Sequence, residues 1–154
     1  MKTKTTMVTL ALSVLAAAAC FASPQMGTWT LNEANSKLDP AMGKNSTVVY
    51  SAVEGDKIKV EVSGEDKDGK PTHSVWVGKF DGKFYPVDGN LSYNQFMYKM
   101  VNDRTNAISA MKDDKVLWTG EITVAKDGKT RTVTVNGTDA KGKKFHGKAV
   151  YDKA

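Results

Sequence analysis

The chain has 154 residues, which suffices for one domain and is short for two. Its 22 basic and 17 acidic residues give a net charge of +5, and the two signs alternate along the chain. Because no basic block occurs, the sequence lacks the positive stripe of a nucleic-acid groove, and we expect an evenly charged, solvated surface and no nucleic-acid partner. The single cysteine, Cys20, excludes an internal disulfide.

Residues 1–22 have the three parts of a secretory signal peptide. Lys2 and Lys4 give a positive start, an apolar run follows at 7–19, and small residues precede a cleavage site after Ala22. The apolar run is too short for a mature membrane-spanning helix. The sequence therefore predicts a signal peptide that is removed.

The folded domain is then residues 23–154, and it is secreted or periplasmic. Removing two lysines from a net charge of +5 leaves +3. Cys20 allows an alternative, because a cysteine after a run of alanines can accept the lipid of a bacterial lipoprotein. In that case the chain would be anchored to a membrane, which is the only membrane contact that we expect.

The rest of the chain alternates between polar and apolar residues with a period of two, which is typical of half-buried strands. Strands are predicted around Trp29 and at 47–53, 57–63, 72–80, 84–87, 95–101, 107–112, 115–124, 131–137 and 144–152. Short turns, several with Asp-Gly, separate them and favour antiparallel pairing of neighbours. Closure of such a sheet removes its edges. The predicted fold is all-β: an antiparallel up-and-down meander of about ten strands closed into a barrel.

Two features of the predicted strands and loops bear on the barrel interior. Gly78 and Gly120 lie within strands and predict bending or a close approach of another group. Together with Ser74, Ala110 and Ala149 they are expected to leave room inside the barrel. The one long connection, 32–45, is predicted to hold at most one helical turn before Pro40 and has the length of a lid or binding loop.

Residues 60–73 and 133–146 share one pattern, which ends in the two histidines of the chain, His73 and His146. A metal or acid–base pair is one interpretation, but a zinc site needs three or four ligands with close spacing. The other interpretation is structural, with each histidine hydrogen bonding a neighbouring turn or strand. We expect the structural role, and no metal.

The sequence lacks the motifs of the common enzyme classes. It contains neither a G-x-S-x-G nucleophile elbow nor a glycine-rich phosphate loop. The paired carboxylates Asp113 and Asp114 fall in a predicted turn, where solvation is the default. We therefore expect no catalytic residues, no enzymatic activity and no cofactor.

Two short motifs carry a resemblance to a known superfamily. "QMGTWTL" at 25–31 places Gly-x-Trp at the first strand, and "AVYDKA" ends the chain at 149–154. With the antiparallel meander between them, the chain resembles the calycins, which include lipocalins and fatty-acid-binding proteins. The resemblance implies that Trp29 packs across the closed end of a cup-shaped barrel. It also implies a basic side chain over that ring, for which Arg131 is the better candidate and Arg104 the lesser one.

The chain departs from the fatty-acid-binding branch at two places. That branch has an arginine two residues before the closing-strand tyrosine, and here Ala149 precedes Tyr151. It also has two helices after the first strand, for which 32–45 is too short. The resemblance thus implies a neutral apolar ligand, or none, rather than a long-chain fatty acid.

The expected function is that of a monomeric, secreted or periplasmic, lipocalin-like protein that binds a small hydrophobic molecule inside the barrel. Ligand sites are concave and mostly apolar, and the inward aromatic and apolar side chains are predicted to line this one. These residues are Tyr50, Trp76, Phe96, Tyr98, Met100 and Trp118. The same side chains would equally fill a solid core. The alternative is therefore a cavity-less barrel that acts through its surface as an envelope or inhibitor-like interaction protein.

Overall fold

The structure is a computed structural model that describes residues 23–154, and these residues form one closed barrel. The predicted signal peptide and Cys20 lie outside the described residues. The strands are β1 (Gly27–Leu31), β2 (Lys44–Val53), β3 (Lys57–Glu65), β4 (Pro71–Gly78), β5 (Asp81–Gly89), β6 (Gln95–Asn102), β7 (Thr105–Lys112), β8 (Lys115–Val124), β9 (Thr130–Thr138) and β10 (Lys144–Lys153). A 3₁₀ turn, Glu33–Asn35, is the helical turn expected before Pro40.

Every strand pairs antiparallel with its neighbour in the chain, and β1 closes the barrel against β10. The closing register pairs Trp29 with Lys153 and Leu31 with Tyr151. The predicted all-β, up-and-down barrel of about ten strands is confirmed. Among the described residues, no helix is long and apolar enough to cross a membrane.

The two ends of the barrel differ in their connections. End A carries the start of β1 and the turns β2–β3, β4–β5, β6–β7 and β8–β9. End B carries the connection 32–43 and the remaining turns. A bridge between Lys37 and Lys148 holds that connection against β10.

The two strand glycines mark close approaches. A side chain at Gly120 would collide with the backbone oxygen of Thr134 on the paired strand β9. At Gly78 an added Cβ would lie 2.6 Å from the rings of both Trp76 and Tyr85. The room expected at Gly78 is therefore filled by aromatic rings, which corrects the prediction for this position.

The repeated pattern in the sequence forms two equivalent turns at end B. One oxygen of Asp66 accepts hydrogen bonds from the amides of Asp68 and Lys70, both at 2.9 Å. The matching oxygen of Asp139 accepts them from the amides of the residues at 141 and 143, at 2.9 and 2.8 Å. The echo is therefore one turn design used twice.

The two histidines are exposed, and each lies on the strand that follows one of these turns, His73 on β4 and His146 on β10. Nδ1 of His73 lies 3.2 Å from Oγ of Ser63, and Nδ1 of His146 is hydrogen bonded to Oδ1 of Asn136 at 2.6 Å. Each pair also faces across the strands in register. This geometry is the structural, cross-strand arrangement expected from the sequence.

Candidate functional site

End A is closed by a buried aromatic and polar cluster around Trp29. The indole Nε1 of Trp29 donates to the backbone oxygen of Gln25 at 2.8 Å. Arg131 is only 2% exposed. Its guanidinium carbon lies 5.0 Å from the ring centres of Trp29 and Tyr50 and 4.8 Å from that of Tyr151. The structure thus places Arg131, rather than Arg104, over Trp29.

The charge of Arg131 is held by ring faces instead of a carboxylate. Nη1 donates to Oε1 of Gln25 at 3.4 Å, while Nε of Arg131 and Nε2 of Gln25 are buried without a hydrogen-bond partner among the described residues. A cation over an aromatic face is attracted to the electron-rich ring. The side chains of Gln25, Trp29, Tyr50, Arg131 and Tyr151 fill end A of the barrel, and we call them the plug.

Next to the plug, four of the predicted ligand-lining residues pack on one another. Tyr50, Trp76, Phe96 and Tyr98 are all buried. The ring centres of Trp76 and Tyr98 lie 4.7 Å apart, and those of Phe96 and Tyr98 lie 4.9 Å apart. Nε1 of Trp76 donates to the backbone oxygen of Phe96 at 3.0 Å. We call these four residues the aromatic cluster.

Burial favours the neutral form of two phenols in this region, those of Tyr98 and Tyr151. The hydroxyls of Tyr50 and Tyr98 lie 3.5 Å apart. Desolvation raises the pKa of Tyr98 well above its usual value, and the nearby Tyr50 raises it further. Desolvation also raises the pKa of Tyr151 to about 12, although the Arg131 charge opposes that shift. The hydroxyls of Tyr98 and Tyr151 can therefore donate a hydrogen bond over a wide pH range.

The other two predicted ligand-lining residues lie apart from this packing. Trp118 is partly exposed toward end B, and its ring centre is 5.5 Å from that of Phe96. Met100 is 53% exposed at the end-A limit of β6. It has the inward register of Tyr98, but β6 ends two residues later, so its side chain projects at the rim. This placement corrects the prediction that Met100 lines the interior.

Four aliphatic residues outside the predicted ligand-lining set form a second inner surface. Leu31, Val62, Val133 and Ala149 pack against the buried core yet remain partly exposed. We call them the aliphatic wall. Val133 pairs with Ala149 across β9 and β10. The period-two alternation could have identified such residues: Val133 lies two positions after Arg131 and two before the buried Val135, so all three share the inward face of β9.

Only part of the aliphatic wall lies across the barrel from the aromatic cluster. In the strand order, β1 lies five strands from β6 in either direction, so the two strands are opposite each other. Leu31 on β1 is therefore opposite Phe96 and Tyr98 on β6. Val62 on β3 instead lies beside β4, which carries Trp76, and Tyr50 of the aromatic cluster lies on β2 between β1 and β3. Tyr85 and Val87 on β5 are likewise inward and partly exposed, so partial exposure is not confined to the aliphatic wall.

Two grooves lie on the outer face of the barrel. One, of about 540 Å³, crosses β5 to β9 and includes Phe84, Met97, Ala107 and Val116. The other, of about 350 Å³, runs along β8 and β9 and is lined mainly by threonines, together with Arg104 and Glu121. Outward-facing threonines line both grooves, so they are distinct from the interior.

In the part of the chain that the structure describes, no group of three or more histidine, cysteine or acidic residues is placed to hold a metal ion. The interior residues offer apolar contact, aromatic packing and phenol hydroxyls. No protein-family model and no curated protein matches the chain.

Proposed function

We propose that the chain is a calycin-like barrel that binds one small apolar molecule between the aromatic cluster and the aliphatic wall. The observation that carries this proposal is that the inward residues Leu31, Val62, Val133 and Ala149 stay partly exposed while packing against the buried core. Trp118 adds a partly exposed aromatic side chain to the same space. Apolar concave surfaces with few polar groups favour ligands through burial of their own apolar area.

The interior favours a neutral ligand over an anionic one. Arg131 is the buried cation among the described interior residues. Its guanidinium packs against the aromatic rings of the plug at end A, so it is not directed at a ligand. Ala149 stands where the fatty-acid-binding branch has its arginine. The hydroxyls of Tyr50 and Tyr98 supply the hydrogen-bonding capacity, which suits a ligand with one neutral polar group.

The protein acts after export, as a secreted or periplasmic monomer. The support for export is the sequence of residues 1–22, which lie outside the described residues. Lipidation of Cys20 is the alternative. Intact-mass measurement of the protein from the soluble and membrane fractions separates the two, because cleavage after Ala22 removes Cys20 and lipidation retains it with added acyl mass.

The ligand proposal is tested by extracting the purified protein with organic solvent and identifying co-purifying molecules by mass spectrometry. A matched pair of variants locates the site. Ala149→Phe fills the space before the aliphatic wall, and Ala107→Phe fills the larger outer groove. We expect Ala149→Phe to weaken binding by about tenfold or more, since shape discrimination in apolar pockets reaches that size. Ala107→Phe should leave binding unchanged.

A second candidate is the cavity-less barrel that acts through its outer surface. The groove with Phe84, Met97 and Val116 favours it, because an apolar outer surface is a common partner site. Loss of binding in Ala107→Phe alone, or the absence of any extracted molecule together with unchanged tryptophan emission across a panel of apolar compounds, would replace the carrier by this candidate.

A further inference from the structure

The hydrogen-bonded ladder between β4 and β5 is incomplete. The two strands pair at three positions, from Ser74 with Gly89 to Trp76 with Val87, whereas β3 and β4 pair at eight. Within residues 23–154, no further pair joins β4 to β5 between Trp76 and the turn at end A. We call residues 77–80 and 83–86, which the same register would place opposite each other, the seam. Regions with few hydrogen bonds between strands open at a lower free-energy cost than fully paired ones.

The ladder ends at Pro86 for a physical reason. The amide of Val87 donates to the backbone oxygen of Asn94, on the β6 side, at 2.9 Å. Backbone groups of successive strand residues point to opposite sides, so those of Pro86 point toward β4. The register would place Pro86 opposite Val77, but proline has no N–H to donate. The seam therefore has its cause in the sequence of β5.

The side chain of Tyr85 covers the seam on the inner side. The register would place Tyr85 opposite Gly78, and a Cβ added at Gly78 would lie 2.6 Å from the Tyr85 ring. The ring of Tyr85 also contacts that of Trp76 edge to face, with the ring centres 5.6 Å apart. A residue with a side chain at 78 would displace this ring. Tyr85 therefore lies between the unpaired backbone of the seam and the buried Trp76 of the aromatic cluster.

A hydrogen bond holds the outer end of the Tyr85 side chain. Its hydroxyl donates to Oδ2 of Asp81 at 2.7 Å. Asp81 is exposed and Tyr85 is partly exposed, whereas Tyr98 and Tyr151 are buried. The hydrogen bond raises the pKa of Tyr85 and lowers that of Asp81, so both groups keep the bonded form at neutral pH. Water can replace Asp81 as the partner of this hydroxyl, so the side chain can leave its position without an unpaired buried group.

We infer that Tyr85 is a gate in the wall of the barrel and that its hydrogen bond to Asp81 keeps the gate closed. When the hydroxyl leaves Asp81, the ring swings outward and opens the seam, which exposes Trp76 and admits a small neutral apolar molecule to the aromatic cluster. The plug fills end A, so the seam is the route into this half of the barrel. The passage of a ligand rests on the proposed function, whereas the opening itself does not and is measured separately.

The first experiment measures the opening without a ligand. In a Trp118→Phe background the emission comes from Trp29 and Trp76, which are both buried. We expect Tyr85→Ala to raise acrylamide quenching several-fold, and the further change Trp76→Phe to remove that rise. Phe84→Ala is the matched control, because Phe84 lies on the outer face of β5, and it should be quenched like the background protein. An equal rise in both variants, or no rise in Tyr85→Ala, would overturn the gate.

The second experiment measures passage in variants that keep the packing of the barrel. Tyr85→Phe retains the ring and removes the hydrogen bond, and Asp81→Ala removes the same bond from the other partner. Both should speed the association and the dissociation of the neutral apolar fluorophore N-phenyl-1-naphthylamine by about three- to tenfold, which corresponds to one hydrogen bond. Its dissociation constant should change little, because the gate lies outside the site. Stopped-flow fluorescence gives both rates.

Asp127→Ala is the matched control for Asp81→Ala. Each aspartate accepts one backbone amide in an end-A turn, that of Lys83 at 3.1 Å and that of Lys129 at 3.0 Å, so only the hydrogen bond from Tyr85 distinguishes them. Unchanged rates in Tyr85→Phe would show that the ligand enters elsewhere and would refute the gate as its route. A wild type that does not bind the fluorophore would count against the proposed function, while the quenching experiment would still decide whether the gate opens.

Discussion

At the scale of single residues, Arg131 shows how a cation is accommodated inside an apolar barrel. Three aromatic rings surround its guanidinium at 4.8 to 5.0 Å, and Gln25 gives one long hydrogen bond. Cation–π contacts contribute about 0.5 to 2 kcal/mol each, whereas a buried donor without a partner costs about 1 to 3 kcal/mol. Three ring contacts sum to about 1.5 to 6 kcal/mol, a range that overlaps the cost of the unpartnered Nε, and we predict that the ring contacts prevail and that Arg131 stabilises the fold.

The substitution Arg131→Met tests this balance, because it keeps most of the volume and removes the charge. We expect the free energy of unfolding to fall by about 1 to 3 kcal/mol, measured by urea denaturation. Arg104→Met is the control. Arg104 is only partly buried and donates to the backbone oxygen of Val124 at 3.3 Å, so its loss should cost less than about 1 kcal/mol. A more stable Arg131→Met variant would mean that desolvation of the guanidinium outweighs its ring contacts.

The buried phenols predict a dependence of stability on alkaline pH. Burial raises the pKa of Tyr98 and Tyr151 in the folded state, the latter to about 12, whereas unfolded tyrosine ionises near its ordinary value of about 10. Stability from these groups is therefore complete below about pH 10 and is lost as pH rises toward 12. Tyrosinate absorbance should lag behind that of the urea-unfolded chain and then rise together with the loss of strand circular dichroism. Full ionisation in a still-folded barrel would contradict this.

At the scale of elements, the strands and the turns between them were predictable from local alternation and turn residues. The bounds of β8 at Lys115–Val124 coincide with the predicted 115–124, because both ends carry clear turn signals. The start of β2 at Lys44 lies three residues before the predicted 47. Lys44 and Asn45 continue the strand by pairing with Glu65 and Gly64 on β3, a long-range contact that alternation does not encode.

The repeated turn makes a prediction for its two aspartates. Asp66 and Asp139 each accept two backbone amides, whereas Asp127 in the β8–β9 turn accepts only that of Lys129. Alanine at either of the first two positions should lower the thermal midpoint about twice as much as Asp127→Ala, since two hydrogen bonds are lost instead of one. Circular dichroism melting curves provide the comparison.

The same turn gives a pH effect with a defined sign. Hydrogen bonds, first of all that from the Lys70 amide, lower the pKa of Asp66 below its ordinary value. Its contribution is therefore present above the ordinary aspartate pKa and is lost as pH falls through the lowered one. The difference between wild type and Asp66→Ala should vanish in strong acid, and a difference that persists there would show that the carboxylate is not its source.

At the scale of the whole molecule, local sequence patterns could not predict which inward residues are fully buried and which stay partly exposed. Val133 and Val135 have the same inward register on β9, yet Val135 is buried and Val133 is partly exposed. The burial of each inward side chain depends on the strand opposite it across the barrel. That opposite strand is set by the pairing of β1 with β10, which closes the sheet. For the same reason alternation selected Met100 with Tyr98 and passed over the aliphatic wall. Alternation in the sequence identified which residues point inward, while the packing across the barrel decides which of them are fully buried.

The three tryptophans offer a direct measurement of that division. Trp29 and Trp76 are buried, and Trp118 alone is partly exposed, between the aromatic cluster and end B. A neutral water-soluble quencher such as acrylamide should therefore act mainly on Trp118. In Trp118→Phe the remaining emission should be quenched several-fold less than in the wild type, whereas Trp76→Phe should retain the wild-type sensitivity. An apolar compound held before the aliphatic wall should protect Trp118 in the same assay, because it occupies the space through which the quencher approaches. Equal quenching in all three proteins would mean that this space is closed to solvent and that the barrel is packed throughout.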